Sequence, residues 1–361
     1  MARAVSTAGK ISAILNPGRM LSDGIPYPDY AAALEALEND GDWFDFWMEV
    51  SRRYEELGTA ARAAGDDTSA GEWLWHASLS AHYAQFMWFH DPARREAGQH
   101  AKVALYKAAA PLMAPAAERV DLPFEDTSIP GYLRRPAVEG PVPCVVLIGG
   151  LESTKEESYL FEQMCMRRGI ATMAFDGPGQ GEMFFTRKLG PGFERVTSAV
   201  VDHLEAADGI DSRRIGVLGR SLGAYYSVLS AACEQRLRAC VAWGACFDLS
   251  DLDSMPPHTR DGFVYVTGIE DRDEARAHLL RSIDLADVAG DLRCPTYVLH
   301  GYHDVIFSMA QVDKLREQIT GAPIEIAVEV DGDHCCHNMG PIVRPRMADW
   351  MARQLAEAPA T

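Results

Sequence analysis

No stretch of the chain approaches the roughly 18 consecutive apolar residues that a membrane-spanning helix needs. The opening MARAVSTAGKISAILNPG also lacks the continuous apolar core of a secretory leader. A bilayer is therefore excluded as a partner, and the cytoplasm is the expected compartment. Basic residues are outnumbered by acidic ones, 34 Lys and Arg against 52 Asp and Glu, for a net charge of −18. That balance excludes generic binding to a nucleic-acid backbone or an anionic membrane surface. None of the eight cysteines (Cys144, Cys165, Cys233, Cys240, Cys246, Cys294, Cys335, Cys336) stands in the paired CxxC spacing of a zinc or redox site. Most sit in apolar runs and read as buried free thiols. Also missing are HExxH, an acidic metal-binding cluster, a lysine-based cofactor signature, internal repeats and low-complexity tracts. No metal and no cofactor is expected.

What is present is apolar and long. With 361 residues and 47% hydrophobic content, the chain exceeds the usual single core of roughly 100–150 residues. Either one large α/β domain or a core plus an accessory domain is therefore expected. The first third is Ala-rich, acidic and aromatic, with helix-compatible stretches DYAAALEALE, GDWFDFWMEVSRRYEELGTAARAAG, TSAGEWLWHASLSAHYAQFMWFH and ARREAGQHAKVALYKAAAPLM. Apolar residues recur there every three to four positions, as at Trp43, Phe46, Trp47 and Val50, which predicts amphipathic helices. Five of the seven tryptophans (Trp43, Trp47, Trp73, Trp75, Trp88) fall in this region. They serve as helix-bundle core, as the lining of a pocket for a flat or apolar substrate, or as both; Trp47 and Trp88 are the candidates named for the lining. Residues 1–118 are read as an N-terminal helical domain and 119–361 as a second domain, with a small insertion near 256–285.

After Pro111–Glu118 the periodicity changes. VDLPFE and SIPGYLRRP look like a hairpin at a sheet edge. PCVVLIGG, GIATMAFDGPGQGE, RIGVLGRSLG, LRACVAWGACFD, CPTYVLHGYHD and IEIAVEVDGDH look like strands with helical segments between them. Buried apolar strands alternating with helices predict a mostly parallel sheet covered on both faces.

The strongest motif is Gly219-Arg220-Ser221-Leu222-Gly223, placed between the strand IGVL and a helix-forming run. In that setting G-x-S-x-G makes a nucleophile elbow, a sharp turn that small flanking residues permit and that lifts the serine hydroxyl above the sheet. Asp304, 83 residues later at the end of YVLHGYHD, is placed to orient a histidine. After the last strand, His334 and His337 are both available, and spacing from the strand end favours His334 as the base; His337 touches the pocket or caps the next helix. An oxyanion hole needs two backbone donors. Leu222 N–H follows the nucleophile, and Leu151 N–H lies in the loop Gly149-Gly150-Leu151 after CVVLI, where the glycines allow close approach. The DGPGQG stretch from Asp176 to Gly181 lacks the lysine and the register of a phosphate loop, so it reads as a rigid turn beside the site. Asp248, after ACVAWGACF, is a candidate partner for a polar substrate group, and Tyr225 a packing or pocket residue.

The motifs GGLESTKEE, AFDGPGQGE, GRSLGAYY and DGDHCCHNMGPIVRPRMADW, in serine, acid, histidine order, resemble the α/β-hydrolase fold. The similarity is to the branch that holds 2,6-dihydroxypseudooxynicotine hydrolase, fungal polyketide-shortening hydrolases and FrsA-like esterases. It covers about Val120 to Ala356 and, more loosely, the preceding helices, which form a cap in that branch. The resemblance implies a Ser221–Asp304–His334 triad, a small-molecule ketone or ester as substrate, and a homodimer. It further implies hydrolysis of a carbon–carbon bond beside a ketone, in a hydroxyaryl ketone or 1,3-dicarbonyl compound, with carboxylester hydrolysis as the alternative. One departure is visible. Where the pseudooxynicotine hydrolase uses a pocket glutamate, DLSDLDSM offers Asp248, Asp251 and Asp253 but no Glu.

Overall fold

The computed structural model describes residues 17–39 and 41–356. The amino-terminal stretch inspected for a leader lies, through residue 16, outside them. Among the described residues no helix is long and apolar enough to cross a membrane. Two compact units divide between Glu118 and Arg119.

In the first unit, α1 (Pro17–Asp23) and α2 (Tyr27–Glu38) precede three longer helices, α3 (Trp43–Ala64), α4 (Asp67–Gln85) and α5 (Pro92–Ala109). Asp42 starts α3 by accepting the Asp45 amide at 2.9 Å, and Gly65 ends it in the left-handed conformation at φ 87°. Trp43 Nε1 donates to the Tyr83 carbonyl at 2.9 Å and Ser51 Oγ to that of Ala77 at 2.8 Å, which ties α3 to α4. Ser78 Oγ donates to the Lys102 carbonyl at 2.9 Å and ties α4 to α5. α4 departs from the one-sided burial its spacing predicts, because every residue from Ala77 to Gln85 is buried. A helix with neighbours on both sides has no solvent face over that length, and its Ala and Ser positions are small enough to allow the approach. The helical run predicted to continue to His90 stops at Gln85, and Met87 takes φ 58°.

The second unit carries the sheet. Its strands are β1 (Ala117–Phe124, which begins just before the division), β2 (Thr127–Arg134), β3 (Val142–Ile148), β4 (Ala171–Phe175), β5 (Ile210–Arg220), β6 (Leu237–Trp243), β7 (Thr296–Gly301) and β8 (Ile324–Glu329). They lie in the order β1-β2-β4-β3-β5-β6-β7-β8. β2 runs antiparallel to β4, and every pair from β4–β3 through β7–β8 is parallel. Parallel neighbours need crossovers. These contain α6 (Tyr159–Met166), α7 (Phe193–Ala206), α8 (Leu222–Cys233) and α11 (Met309–Gln318), while α12 (Gly340–Ala356) follows β8. The stretch near 256–285 forms α9 (Pro257–Thr267) and α10 (Arg272–Ser282), both within the β6–β7 connection.

Successive strand residues point to opposite faces, so an unbroken apolar run feeds two cores. Val146, Met173, Val217, Cys240 and Val298 join Val196 and Val200 of α7 and Val228 of α8 on one face. Val145, Ala174, Leu218, Val241 and Leu299 join Phe161 of α6 and Val343, Met347 and Met351 of α12 on the other. Seven of the eight cysteines are buried and all are free; Cys233, at the end of α8, departs from the expectation and is exposed. The register sets the ends level: Ile148 pairs with Gly219, Arg220 with Trp243, and Trp243 with Leu299. The loops that leave these four strands therefore meet at one edge of the sheet.

Candidate active site

Ser221 sits between the last residue of β5 and the first of α8 with φ 59° and ψ −122°, a conformation L-residues rarely adopt. The turn closes only because its flanks are bare. A Cβ on Gly219 would lie 1.7 Å from the Gly223 carbonyl oxygen, and one on Gly223 would lie 2.4 Å from that of Ile148. Ser221 N–H donates to the Trp243 carbonyl at 2.8 Å, which pins the elbow to the neighbouring strand. Leu222 is the first residue of α8, so its N–H is one of the helix N-terminal amides without an intrahelical acceptor.

Asp304 and His334 come from the loops after β7 and β8, and the structure brings both to the serine. His334 Nε2 is 2.8 Å from Ser221 Oγ, and His334 Nδ1 is 2.7 Å from Asp304 Oδ2. The other carboxylate oxygen accepts the amides of Ile306 at 2.7 Å and Phe307 at 3.0 Å, so Asp304 is held from both ends. Its side chain is fully buried. Burial by itself raises the Asp304 pKa, but His334 and the Phe307 amide outweigh that and hold it below the usual carboxylate range. Burial likewise lowers the pKa of His334, and the Asp304 charge overrides it, leaving the imidazole well above the ordinary histidine value. The arrangement can take a proton from Ser221 and return it to a leaving group.

The loop after β3 lies against Ser221. A Cβ on Gly150 would meet Ser221 Cβ at 3.0 Å and Oγ at 3.4 Å, so Gly150 packs directly on the Ser221 side chain. Several residues that sequence reasoning passed over hold this loop. Gln180, in the DGPGQG turn, donates its amide to the carbonyls of Gly149 at 2.6 Å and Gly150 at 3.0 Å. Arg220 donates to Ser153 Oγ at 3.0 Å and pairs with Glu157. Lys155 is fully buried, and its Nζ lies 2.6 Å from each of Glu156, Asp176 and Glu182. Those three carboxylates are the acidic cluster that the linear sequence did not reveal, and a protein ammonium stands among them. Glu182 resists the upward push of burial and is held down to about 2 by Lys155 and Arg119. Replacing Lys155 with methionine leaves Asp176 facing two more carboxylates without the shared cation, so urea melts should show a loss of about 3–5 kcal/mol. A loss below about 1 kcal/mol, the scale of a surface ion pair, would refute that role.

Cys335 follows His334 at φ 57°, and its Sγ lies 3.6 Å from His334 Nε2. Gly244 makes room for it, since a Cβ there would stand 2.6 Å from that sulfur. His300 accepts the Ala245 amide at Nδ1 (3.1 Å), and burial keeps its pKa below the ordinary value. The positive φ values at Cys335 and Cys336 had no sequence signal, because neither residue type favours them.

The candidate substrate residues fare differently. Asp248 is engaged by the protein: Lys314 Nζ donates to it at 2.6 Å, Gln311 Nε2 at 3.1 Å and the Ser250 amide at 2.9 Å. Asp251 likewise accepts from Ser308, and Asp253 from Arg276. The carboxylates of DLSDLDSM thus fasten α11 and α10 to the loop after β6. Tyr225 is buried and its hydroxyl donates to the Ser282 carbonyl at 3.0 Å, a packing role. His337 is buried, tilted on Trp243 with ring centroids 5.9 Å apart and edge-on to His334 at 6.4 Å. Trp47 is fully buried with its ring edge-on to Trp43 and Phe46, and Trp88 is half-buried beside Phe44 and His90.

Comparison with known proteins bears on what this site belongs to. A family model described as Esterase FrsA-like matches residues 37–303. The chain is 46% identical over 340 residues to 2,6-dihydropseudooxynicotine hydrolase of Paenarthrobacter nicotinovorans, covering 94% of this chain and 91% of that protein. It is 34% identical over 251 residues to the hydrolase LUC6 of a Fusarium species, covering 64% of this chain and 60% of that one. The crystal structure of 2,6-dihydroxy-pseudo-oxynicotine hydrolase superposes with a TM-score of 0.90 at 44% identity, across 96% of this chain and 99% of that chain. An elbow at the end of β5, a mostly parallel eight-stranded sheet and these matches lead to one conclusion: the chain is an α/β-hydrolase and belongs to the FrsA-like esterase family.

Proposed function

We propose that this hydrolase uses Ser221 as nucleophile, His334 as base and acid, and Asp304 as the group that orients and polarises His334. Its reaction in this reading is hydrolysis of a carbon–carbon bond beside a ketone, in a hydroxyaryl ketone or a 1,3-dicarbonyl compound. The observation that carries the triad is the continuous chain of contacts, Ser221 Oγ to His334 Nε2 at 2.8 Å and Nδ1 to Asp304 at 2.7 Å, at a strained strand-to-helix turn. The bond class rests on the 46% identity to an enzyme named for a pseudooxynicotine substrate.

In the proposed reaction His334 Nε2 accepts the Ser221 proton as Oγ bonds to the ketone carbon. The oxygen that becomes negative is met by the amides of Leu151 and Leu222, donors already oriented before the charge develops. Collapse of the adduct breaks the carbon–carbon bond, and the electron pair leaves on a hydroxylated ring carbon or an enolate, which takes the proton from His334. Water then attacks the acyl–serine with His334 as base, and Ser221 regains its proton as the acid product departs. A carboxylester passes through the same steps with an alkoxide as leaving group, and the esterase description of the family model favours that second reading. The homodimer implied by the sequence resemblance belongs to the same proposal.

The deciding experiment assays the protein on hydroxyaryl ketones, β-diketones and p-nitrophenyl or aryl esters side by side. Ketone cleavage that exceeds ester turnover is the expected result. Ester turnover with no ketone cleavage would leave only the esterase reading standing.

A further inference from the structure

The DGPGQG turn looks at first like a spacer between β4 and the helix that follows. Its glutamine is instead buried, and all of its polar atoms are used. Gly177 N–H donates to Gln180 Oε1 at 3.0 Å, so the carbonyl end of the amide is identified by its donor. The Nε2 end must then face the two groups that can only accept, the carbonyls of Gly149 at 2.6 Å and Gly150 at 3.0 Å. One NH₂ group, with its two hydrogens, thus holds two consecutive peptide carbonyls on the same side of the loop.

A trans peptide carries its C=O and N–H in opposite directions, and among the described residues the Ala114–Pro115 bond is the cis one. Turning the Gly149 and Gly150 carbonyls toward Gln180 therefore turns the N–H groups of Gly150 and Leu151 the other way. Adjacent amides pointing to one side form a concavity suited to an anion. The loop that carries them is packed on the nucleophile, with the direction of a Gly150 side chain leading to Ser221 Oγ at 3.4 Å. At two glycines nothing in the residues themselves prevents the peptide from flipping. A flip would present a carbonyl oxygen where a donor is required.

We propose that Gln180 is the positioning residue of the oxyanion hole, orienting the Gly150 and Leu151 amides toward the developing negative charge without itself touching the substrate. The rest of the turn fixes the glutamine. Gln180 N–H donates to the Gly177 carbonyl at 2.9 Å, and Asp176, which anchors Lys155 from the same loop, accepts the Glu182 amide at 3.0 Å.

The inference rests on the Ser221 reading, so Ser221→Ala is assayed beside the Gln180 variants. The substrate is p-nitrophenyl butyrate, or the ketone turned over fastest in the panel above. Gln180→Met keeps the length of the side chain and removes both the donor and the acceptor. Its kcat should fall roughly 10²-fold, the scale seen when an oxyanion donor is lost, with KM within about threefold. Affinity for phenyl trifluoromethyl ketone, which forms a charged adduct with a serine, should fall by the same factor as kcat/KM. Gln180→Glu gives a signature that a merely structural role would not move. When protonated, its carboxyl donates to one carbonyl; when ionised, it repels both. The ratio of its kcat to that of the unaltered enzyme should therefore fall as pH rises. Variants that keep kcat within threefold, or that lose kcat with no change in trifluoromethyl ketone affinity, would overturn the proposal. If Gln180→Met does not fold, the pH dependence of the Gln180→Glu ratio decides, and a flat ratio refutes it. An active Ser221→Ala would instead bring down the triad reading. An inactive Ser221→Ala beside unimpaired Gln180 variants would bring down the positioning role alone.

Discussion

Replacing Ser221 with alanine is expected to lower kcat by roughly 10⁶-fold, the scale observed when a serine nucleophile is removed from a triad. Ser221 Oγ is the atom 2.8 Å from His334 Nε2, and in the proposed reaction its removal leaves no oxygen to attack the carbonyl carbon. The fold should tolerate the change, because Ala keeps the Cβ and the elbow is held through backbone bonds such as Ser221 N–H to the Trp243 carbonyl. Thermal melts and single-turnover assays on the same preparation separate the two effects. The size of the loss also distinguishes two routes to the same products. If His334 activated water directly to form a gem-diolate, the serine would matter far less, and a deficit under about 10²-fold, the scale of a lost oxyanion donor, would point there.

Replacing Asp304 with asparagine should cost roughly 10⁴-fold in kcat, since an amide in that place stabilises the wrong histidine tautomer and removes the charge that balances the imidazolium. It should also displace the pH profile in a defined direction. In the proposed mechanism turnover needs His334 neutral, so in the unaltered enzyme kcat/KM should rise with pH through a histidine pKa that lies well above the ordinary value. Burial works against that elevation, and Asp304, ahead of Cys335, supplies most of it. With the carboxylate gone, burial prevails, and the rising limb moves to lower pH. The variant's deficit should therefore be largest at alkaline pH and shrink as the medium becomes more acid. A limb that stays in place while the plateau drops would show that some other group holds the imidazole pKa up.

The parts of this molecule that sequence reasoning could reach are those in which a short local pattern dictates geometry. GRSLG between a strand and a helix leaves a serine little choice but an exposed, strained turn, and strand ends announce where Asp304 and His334 emerge. The fold class follows from buried strands alternating with helices for the same reason. What escaped reading depends on partners far apart in sequence. Gln180 acts on carbonyls 30 and 31 residues before it, and Lys155 on a carboxylate 21 residues after it. Asp248 was placed by its position near a strand end, yet its carboxylate is taken up by Lys314 and Gln311, 66 and 63 positions away, on a helix whose packing direction no local signal encodes. α4 was misread as one-sided because Ala, Ser, His and Gln look solvent-compatible in isolation, and only the close approach of α3 and α5 makes them interior.

The strand order has a bearing on how the protein becomes active as it folds. β3 lies between β4 and β5, so the chain leaves β3 toward one side of the sheet and later returns to the other side to lay down β5. The loop bearing Gly150 and the Ser221 elbow end adjacent strands, yet Gly150 and Ser221 are synthesised dozens of residues apart, and His334 follows Ser221 by 113 more. Pairings of such high sequence separation form late, because loop-closure entropy must be overcome before the contacts can compensate. The strained Ser221 backbone is pinned by its amide bond to the Trp243 carbonyl of β6, and Gly150 of the loop after β3 packs on its side chain. In the proposed mechanism a partly folded chain therefore holds Ser221 apart from His334 and from the loop after β3, and hydrolytic capacity waits on the closing of the sheet.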